Sequence, residues 1–235
     1  MIRTPLLAAL FLLGLAIVTW IGVGYVGTHA LGVVVTLVIG GCYVAGAIEL
    51  HRYRQATGSL AAALADTSSA SQGLAAWLAS LHPSLRPSVR QRIEGERAAL
   101  LAPALTPYLV GLLVLLGMLG TLLGMMVTLR GTGLALESAT DIDAIRGSLA
   151  APVKGLGFAF GTSIAGVATS AVLGLMAALC RRERADAVHQ LDAEIATSLH
   201  PHSQAFQREE SFRLLQQQAA LMPDLVERLQ TMVAS

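Results

Sequence analysis

Three hydroxyl-bearing residues, Thr121, Thr162 and Ser163, sit in stretches made otherwise of apolar and small side chains. A hydroxyl both donates and accepts a hydrogen bond. Away from water it can either line a polar path for an ion or bond a carbonyl of its own helix. Small residues surround all three. At about 100° per residue, Gly155, Ala159, Thr162, Ser163, Gly166, Thr169 and Ser170 share an arc of roughly 120°, opposite Phe160, Ile164, Val167, Ala171 and Leu175. Gly117, Gly120, Thr121, Gly124 and Thr128 share one face of the preceding apolar stretch in the same way. Thr121 lies nine residues before Arg130 and Ser163 nine after Lys154. The rise of an α-helix therefore puts both hydroxyls about 13 Å from those charged ends, at one level. Two readings follow from these residues alone. Thr121, Thr162 and Ser163 form a polar belt along an ion path, with Gly117, Gly120, Gly124, Gly166, Thr169 and Ser170 packing its face. Alternatively, small residues and hydroxyls merely let two membrane helices approach closely, a common use worth about 1 kcal/mol or less per hydroxyl.

The elements that must position them are apolar helices. The chain has 235 residues, of which 54% are hydrophobic and 13% charged, about half the charged share of an ordinary soluble domain. Four runs, Pro5 to Val26, Leu31 to Ile48, Tyr108 to Leu129 and Gly155 to Cys180, contain no Asp, Glu, Lys or Arg. Each has the roughly 17–25 residues that a helix needs to cross a bilayer. The expected fold is all-α, a polytopic membrane protein with four transmembrane helices, a cytoplasmic helical loop and a coiled-coil-like C-terminal tail. The first run is longer than the apolar core of a signal peptide and no clear cleavage site follows it, so it reads as a retained helix.

Basic residues set the orientation. Arg52 and Arg54 follow the second run, and Arg181, Arg182 and Arg184 follow the fourth, which predicts cytoplasmic positions for both ends and for both termini. The link between runs three and four balances Arg130, Arg146 and Lys154 against Glu137, Asp141 and Asp143 and is expected outside. The resulting division is residues 1–50 for the first two spans, 51–106 for the loop, 107–181 for the last two spans and 182–235 for the tail.

Within the loop, Gly58, the polar run Asp66 to Gln72, Pro83 and Pro87 read as breaks between short helices. The stretch Ser88 to Leu101 reads as a solvated helix ended by Pro103. In the tail, Val188, Leu191, Ile195 and Leu199 form a seam at helical spacing, Pro201 interrupts it, and Met222, Leu225, Leu229 and Met232 form a second. The chain stops at Ser235 directly after this seam, from which a longer natural tail is expected. Cys42 and Cys180 lie on separate elements, and no disulfide or metal site is read from them. His200 and His202 flank Pro201 and read as a turn. A net charge of +1 argues against a nucleic-acid partner.

Two motifs carry a resemblance. The run GMLGTLLGM at residues 117–125 resembles the "G-L-x-G-T-V-x-G" signature that opens the pore helix of TolQ and ExbB proteins. The run GLGFAFGTSIAG at residues 155–166 resembles "G-I-A-x-A-L-x-x-T-A-x-G-L" without a gap, with Ser163 on the hydroxyl position and Gly166 on the glycine. The chain thus resembles the MotA/TolQ/ExbB family of ion-driven motor subunits over Tyr108 to Cys180, about a third of its length.

That resemblance implies a homo-oligomer, a pentamer, around two copies of a single-span MotB/TolR/ExbD/ZorB-like partner whose helix bears an aspartate. It also implies a bacterial inner-membrane location, no bound cofactor and no enzymatic reaction. The translocated ion is H⁺ or Na⁺, and Ser163 in place of the usual threonine leaves that choice open. The absence of Asp, Glu, His, Lys and Arg from the four runs agrees, since the titrating carboxylate would have to come from elsewhere. Four spans, a short loop and a helical tail look most like ZorA-type anti-phage motors and unlike a flagellar stator. A scaffold or sensor that only positions the tail is the alternative from another class, and it predicts a dry, tightly packed contact between spans three and four. A secondary transporter fits less well, because broken helices and intramembrane charges are both missing.

Overall fold

In a computed structural model, residues 3–27, 30–66, 74–95, 98, 100, 102–137, 142–197, 211–216 and 218 are described. All regular structure among them is helical. The helices are α1 (Arg3–Tyr25), α2 (Ala30–Ala65), α3 (Leu74–Ser80), α4 (Arg86–Ile93), α5 (Thr106–Glu137) and α6 (Ile142–Thr197). Four of them, α1, α2, α5 and α6, are long and apolar enough to cross a membrane. The chain divides into two compact units, residues 1–54 with 102–183 and residues 55–101 with 184–235.

The first unit packs α1, α2, α5 and α6 through small residues. Gly27, with a φ of +81°, turns the chain after α1, a conformation that L side chains avoid. Val18, Ile39, Tyr43, Leu113, Ala165 and Leu173 form a buried cluster. Tyr43 stacks on Phe11 with ring centroids 5.7 Å apart, and its hydroxyl donates to the Phe11 carbonyl at 3.1 Å. A side chain at Gly14 would occupy the place of that hydroxyl. Leu7, Leu50, Met176, Ala177 and Cys180 close a second cluster.

The second unit is built from large side chains. Leu60, Trp77, Leu81, Leu85, Val89, Ile93 and Leu191 are buried together with Ala56, Ala63 and Ala187. The Trp77 indole donates to the Ala63 carbonyl at 3.0 Å. Arg92 grips Asp192 through Nε at 2.6 Å and Nη2 at 2.9 Å, a two-pronged charged hydrogen bond. That contact holds the Asp192 carboxyl below the usual carboxylate range.

Three expectations about this region change. Gly58 does not break the helix, because α2 runs through it to Ala65. One glycine costs only about 1 kcal/mol against alanine, and Ala56, Leu60 and Ala63 around it are buried. The helix expected over Ser88 to Leu101 is Arg86–Ile93. It starts with Pro87 in its first turn and ends before Gly95, whose φ of +92° leaves the helical region. Nor is that helix solvated throughout, since Val89 and Ile93 are fully buried. In the tail, Leu191 and Ile195 of the first seam pack inside the unit. Leu199, His200, Pro201, His202 and the seam from Met222 to Met232 lie outside the described residues, as does most of the run Asp66 to Gln72.

Candidate functional site

The close contact of the first unit lies between α5 and α6. A Cβ added at Gly166 would stand 2.5 Å from the Leu113 carbonyl oxygen and 2.7 Å from the Gly117 Cα. One added at Gly117 would stand 3.2 Å from both the Gly166 Cα and the Ser163 carbonyl oxygen. Backbone therefore meets backbone here, which only glycine on both helices permits. Gly120 serves the same contact, since its missing side chain makes room for the Thr162 side chain, with Oγ1 2.6 Å from where a Cβ would be. Lower on the same seam, the Ser170 hydroxyl donates across to the Val110 carbonyl at 2.8 Å.

The hydroxyls differ in what this contact does to them. Thr162 and Thr169 are fully buried. Thr162 donates to the Ala159 carbonyl at 3.0 Å and Thr169 to the Ala165 carbonyl at 2.7 Å, so both are satisfied within α6. Thr121 and Ser163 are half-buried. Thr121 lies about 40° round α5 from Gly117, and Ser163 about 60° round α6 from Gly166, so each stands at the margin of the contact. Thr121 donates to the Gly117 carbonyl at 3.0 Å, the same glycine that faces the Ser163 backbone. Thr121 and Ser163 thus stand at the margin of the seam, whereas Thr162 lies within it. Gly124 is buried on the same face of α5, and Thr128 donates to the Gly124 carbonyl. The surroundings of Gly155 lie outside the described side chains. On the far side of α6, Phe160, Ile164, Val167 and Leu175 are exposed, as the wheel requires.

Two residues that support this site had no local signal. Tyr25, at the end of α1, places its hydroxyl where a side chain on Gly161 would be and against the Thr162 backbone. Glu49 of α2 holds the start of α5: its carboxylate accepts from the Leu105 N–H at 2.9 Å and from the Thr106 hydroxyl at 2.6 Å. A carboxylate at a helix N-terminus satisfies free N–H groups and opposes the positive end of the helix dipole. Here it comes from 57 residues earlier in the chain. Among the described residues no three His, Cys, Asp or Glu side chains converge.

The arrangement can bring helices into close contact and can offer two hydroxyls at the edge of that contact. Residues 109–128 of α5 and 156–179 of α6 contain no Asp, Glu, His, Lys or Arg. The chain matches no protein-family model, no curated protein and no solved structure.

Proposed function

We propose that this chain is the channel-forming subunit of an ion-driven motor, working as a pentameric ring with a single-span partner that carries an aspartate. The observation behind this reading is the pair Thr121 and Ser163, both half-buried at the margin of one glycine contact. It is joined by the absence of any ionisable side chain between Tyr108 and Leu129 or between Gly155 and Cys180. Two hydroxyls can solvate an ion in passing but cannot hold a proton, so the titrating group belongs to the partner. The α5–α6 contact is too close to admit an ion between the two helices, so the path runs along its outer margin. One chain offers a single such margin and cannot enclose a path, which is why a ring is required. In this reading Thr162 supports the two lining residues from within the contact. The motor sits in the inner membrane with both termini cytoplasmic, carries H⁺ or Na⁺ and serves a ZorA-like anti-phage role.

The scaffold reading draws on a specific observation as well: the Gly117–Gly166 contact is tight, and Thr162 and Thr169 are satisfied inside it. Oligomeric state separates the two. Native mass spectrometry of the detergent-purified protein should give a pentamer, with a single-span protein from a neighbouring gene bound after co-expression. A clean monomer that takes up no partner rules out the motor and leaves the scaffold.

A further inference from the structure

The arginines of the first unit divide into two kinds. Arg54 is engaged, its Nε 3.3 Å from the Glu183 carboxylate. Arg52, Arg181 and Arg182 are exposed and make no ion pair among the described residues. Two acids near them are committed elsewhere: Glu183 to Arg54 and Glu49 to the start of α5.

Each free arginine also ends an apolar stripe. On α2, Val34, Val38, Gly41, Ala45 and Ile48 are exposed at three- to four-residue spacing, and Arg52 follows one turn later on the same face. On α6, Ile164, Val167, Ala171, Leu175 and Ala178 are exposed in the same way, and Arg182 is the next member of the series, with Arg181 beside it. A long apolar strip that ends in an uncompensated guanidinium matches a phospholipid, with acyl chains along the strip and a phosphate at the end. Guanidinium binds phosphate through paired hydrogen bonds, and basic side chains near a membrane surface favour anionic lipid.

We propose that Arg52 and the pair Arg181–Arg182 hold the headgroups of anionic phospholipids on the α2 and α6 faces of the first unit. This rests on the four apolar helices crossing a membrane and is independent of the motor reading.

The test uses the full chain, purified in mild detergent and offered phosphatidylglycerol or phosphatidylcholine with matched acyl chains, bound lipid being counted by native mass spectrometry. The wild type should retain phosphatidylglycerol several-fold more than phosphatidylcholine. Arg52→Gln, Arg181→Gln and Arg182→Gln together should bring the two lipids to parity, whereas Arg90→Gln, at an exposed arginine of the second unit that ends no apolar stripe, should not. Inorganic phosphate at millimolar concentration should not displace the lipid. Wild-type parity between the two lipids, or undiminished preference in the triple variant, overturns the proposal. So does displacement by phosphate, which would make this an ion site. Because none of the three side chains makes an ion pair among the described residues, the variants should extract and elute like the wild type. If the triple variant does not, the three single variants are compared by the same ratio, and equality of all three with the wild type overturns the proposal. A wild type that fails to partition into membranes would instead remove the premise.

Discussion

The contact between α5 and α6 and the core around Trp77 hold helices together by opposite means. At the first, side chains are taken away: Gly117, Gly120 and Gly166 let backbone touch backbone, and Thr121, Thr162 and Thr169 bond carbonyls of their own helix while Ser170 bonds one of its neighbour. At the second, side chains are added: Trp77, Leu60, Leu81 and Leu191 fill the interior, and Arg92 and Asp192 pair at its edge. The difference follows from the solvent. Lipid tails are as apolar as leucine, so burying leucine between membrane helices gains little and close approach does the work. In water, burial of apolar area drives packing at roughly 25 cal/mol per Å². The two regions should therefore fail to opposite changes.

Enlargement should break the first. Gly166→Val places atoms against the Leu113 carbonyl and the Gly117 backbone, which no rotamer change can relieve. Overpacking costs about 1–3 kcal/mol even where neighbours can shift, so the folded protein should be lost from detergent extracts on size-exclusion chromatography. Recovery of wild-type yield would mean that the contact is looser than described. Truncation should damage the second: Trp77→Ala removes a fully enclosed side chain and should cost about 3–5 kcal/mol, measured by denaturant titration followed by circular dichroism. A smaller change belongs to the Glu49 cap. Glu49→Ala leaves the start of α5 without its carboxylate and should lower stability by about 0.5–2 kcal/mol, with Glu49→Gln between it and the wild type.

How much of this was legible in the sequence depends on the range of the interaction. The four apolar helices and the small face of α6 could be read directly, because dense hydropathy and a 100° repeat are local properties. The ends of α2 and α4 could not. Gly58 looks like a break until the residues that pack around it are known, and Ser88–Leu101 looks continuous until Gly95 adopts a positive φ. Glu49 and Thr106 are far apart in sequence, and so are Tyr25 and Gly161, so no local pattern announces either pairing. For the same reason spacing alone put Thr121, Thr162 and Ser163 in one belt. Only the position of Gly120 opposite Thr162 separates the buried hydroxyl from the two at the margin.

A finer comparison comes from pH. The Asp192 carboxyl is held low by Arg92, so its contribution to stability is present above the unfolded value of about 3.9 and fades as the pH falls through that value and below it. The carboxylate is 43% exposed, so the contribution is screened and should stay under about 1 kcal/mol. Between pH 6 and 3.5 the wild type should lose more stability than Asp192→Asn, as read from urea midpoints of the detergent-solubilised chain. Equal slopes would show the pair to be neutral.

The smallest change in stability should carry the largest change in function. Thr121→Val keeps shape and removes a hydroxyl already bonded to its own helix, and Ser163→Ala removes one oxygen at the margin. Together they should cost about 1 kcal/mol or less and leave the proposed pentamer intact. A path along that margin would then present an apolar wall to the partner's carboxylate and its ion, at a cost on the order of several kcal/mol. The direct measurement is motor-dependent protection from phage in cells carrying Thr121→Val with Ser163→Ala, with pentamer yield followed by native mass spectrometry in parallel. The ion-path account predicts normal assembly with protection lost. Normal assembly with full protection would contradict it and make both hydroxyls part of the packing.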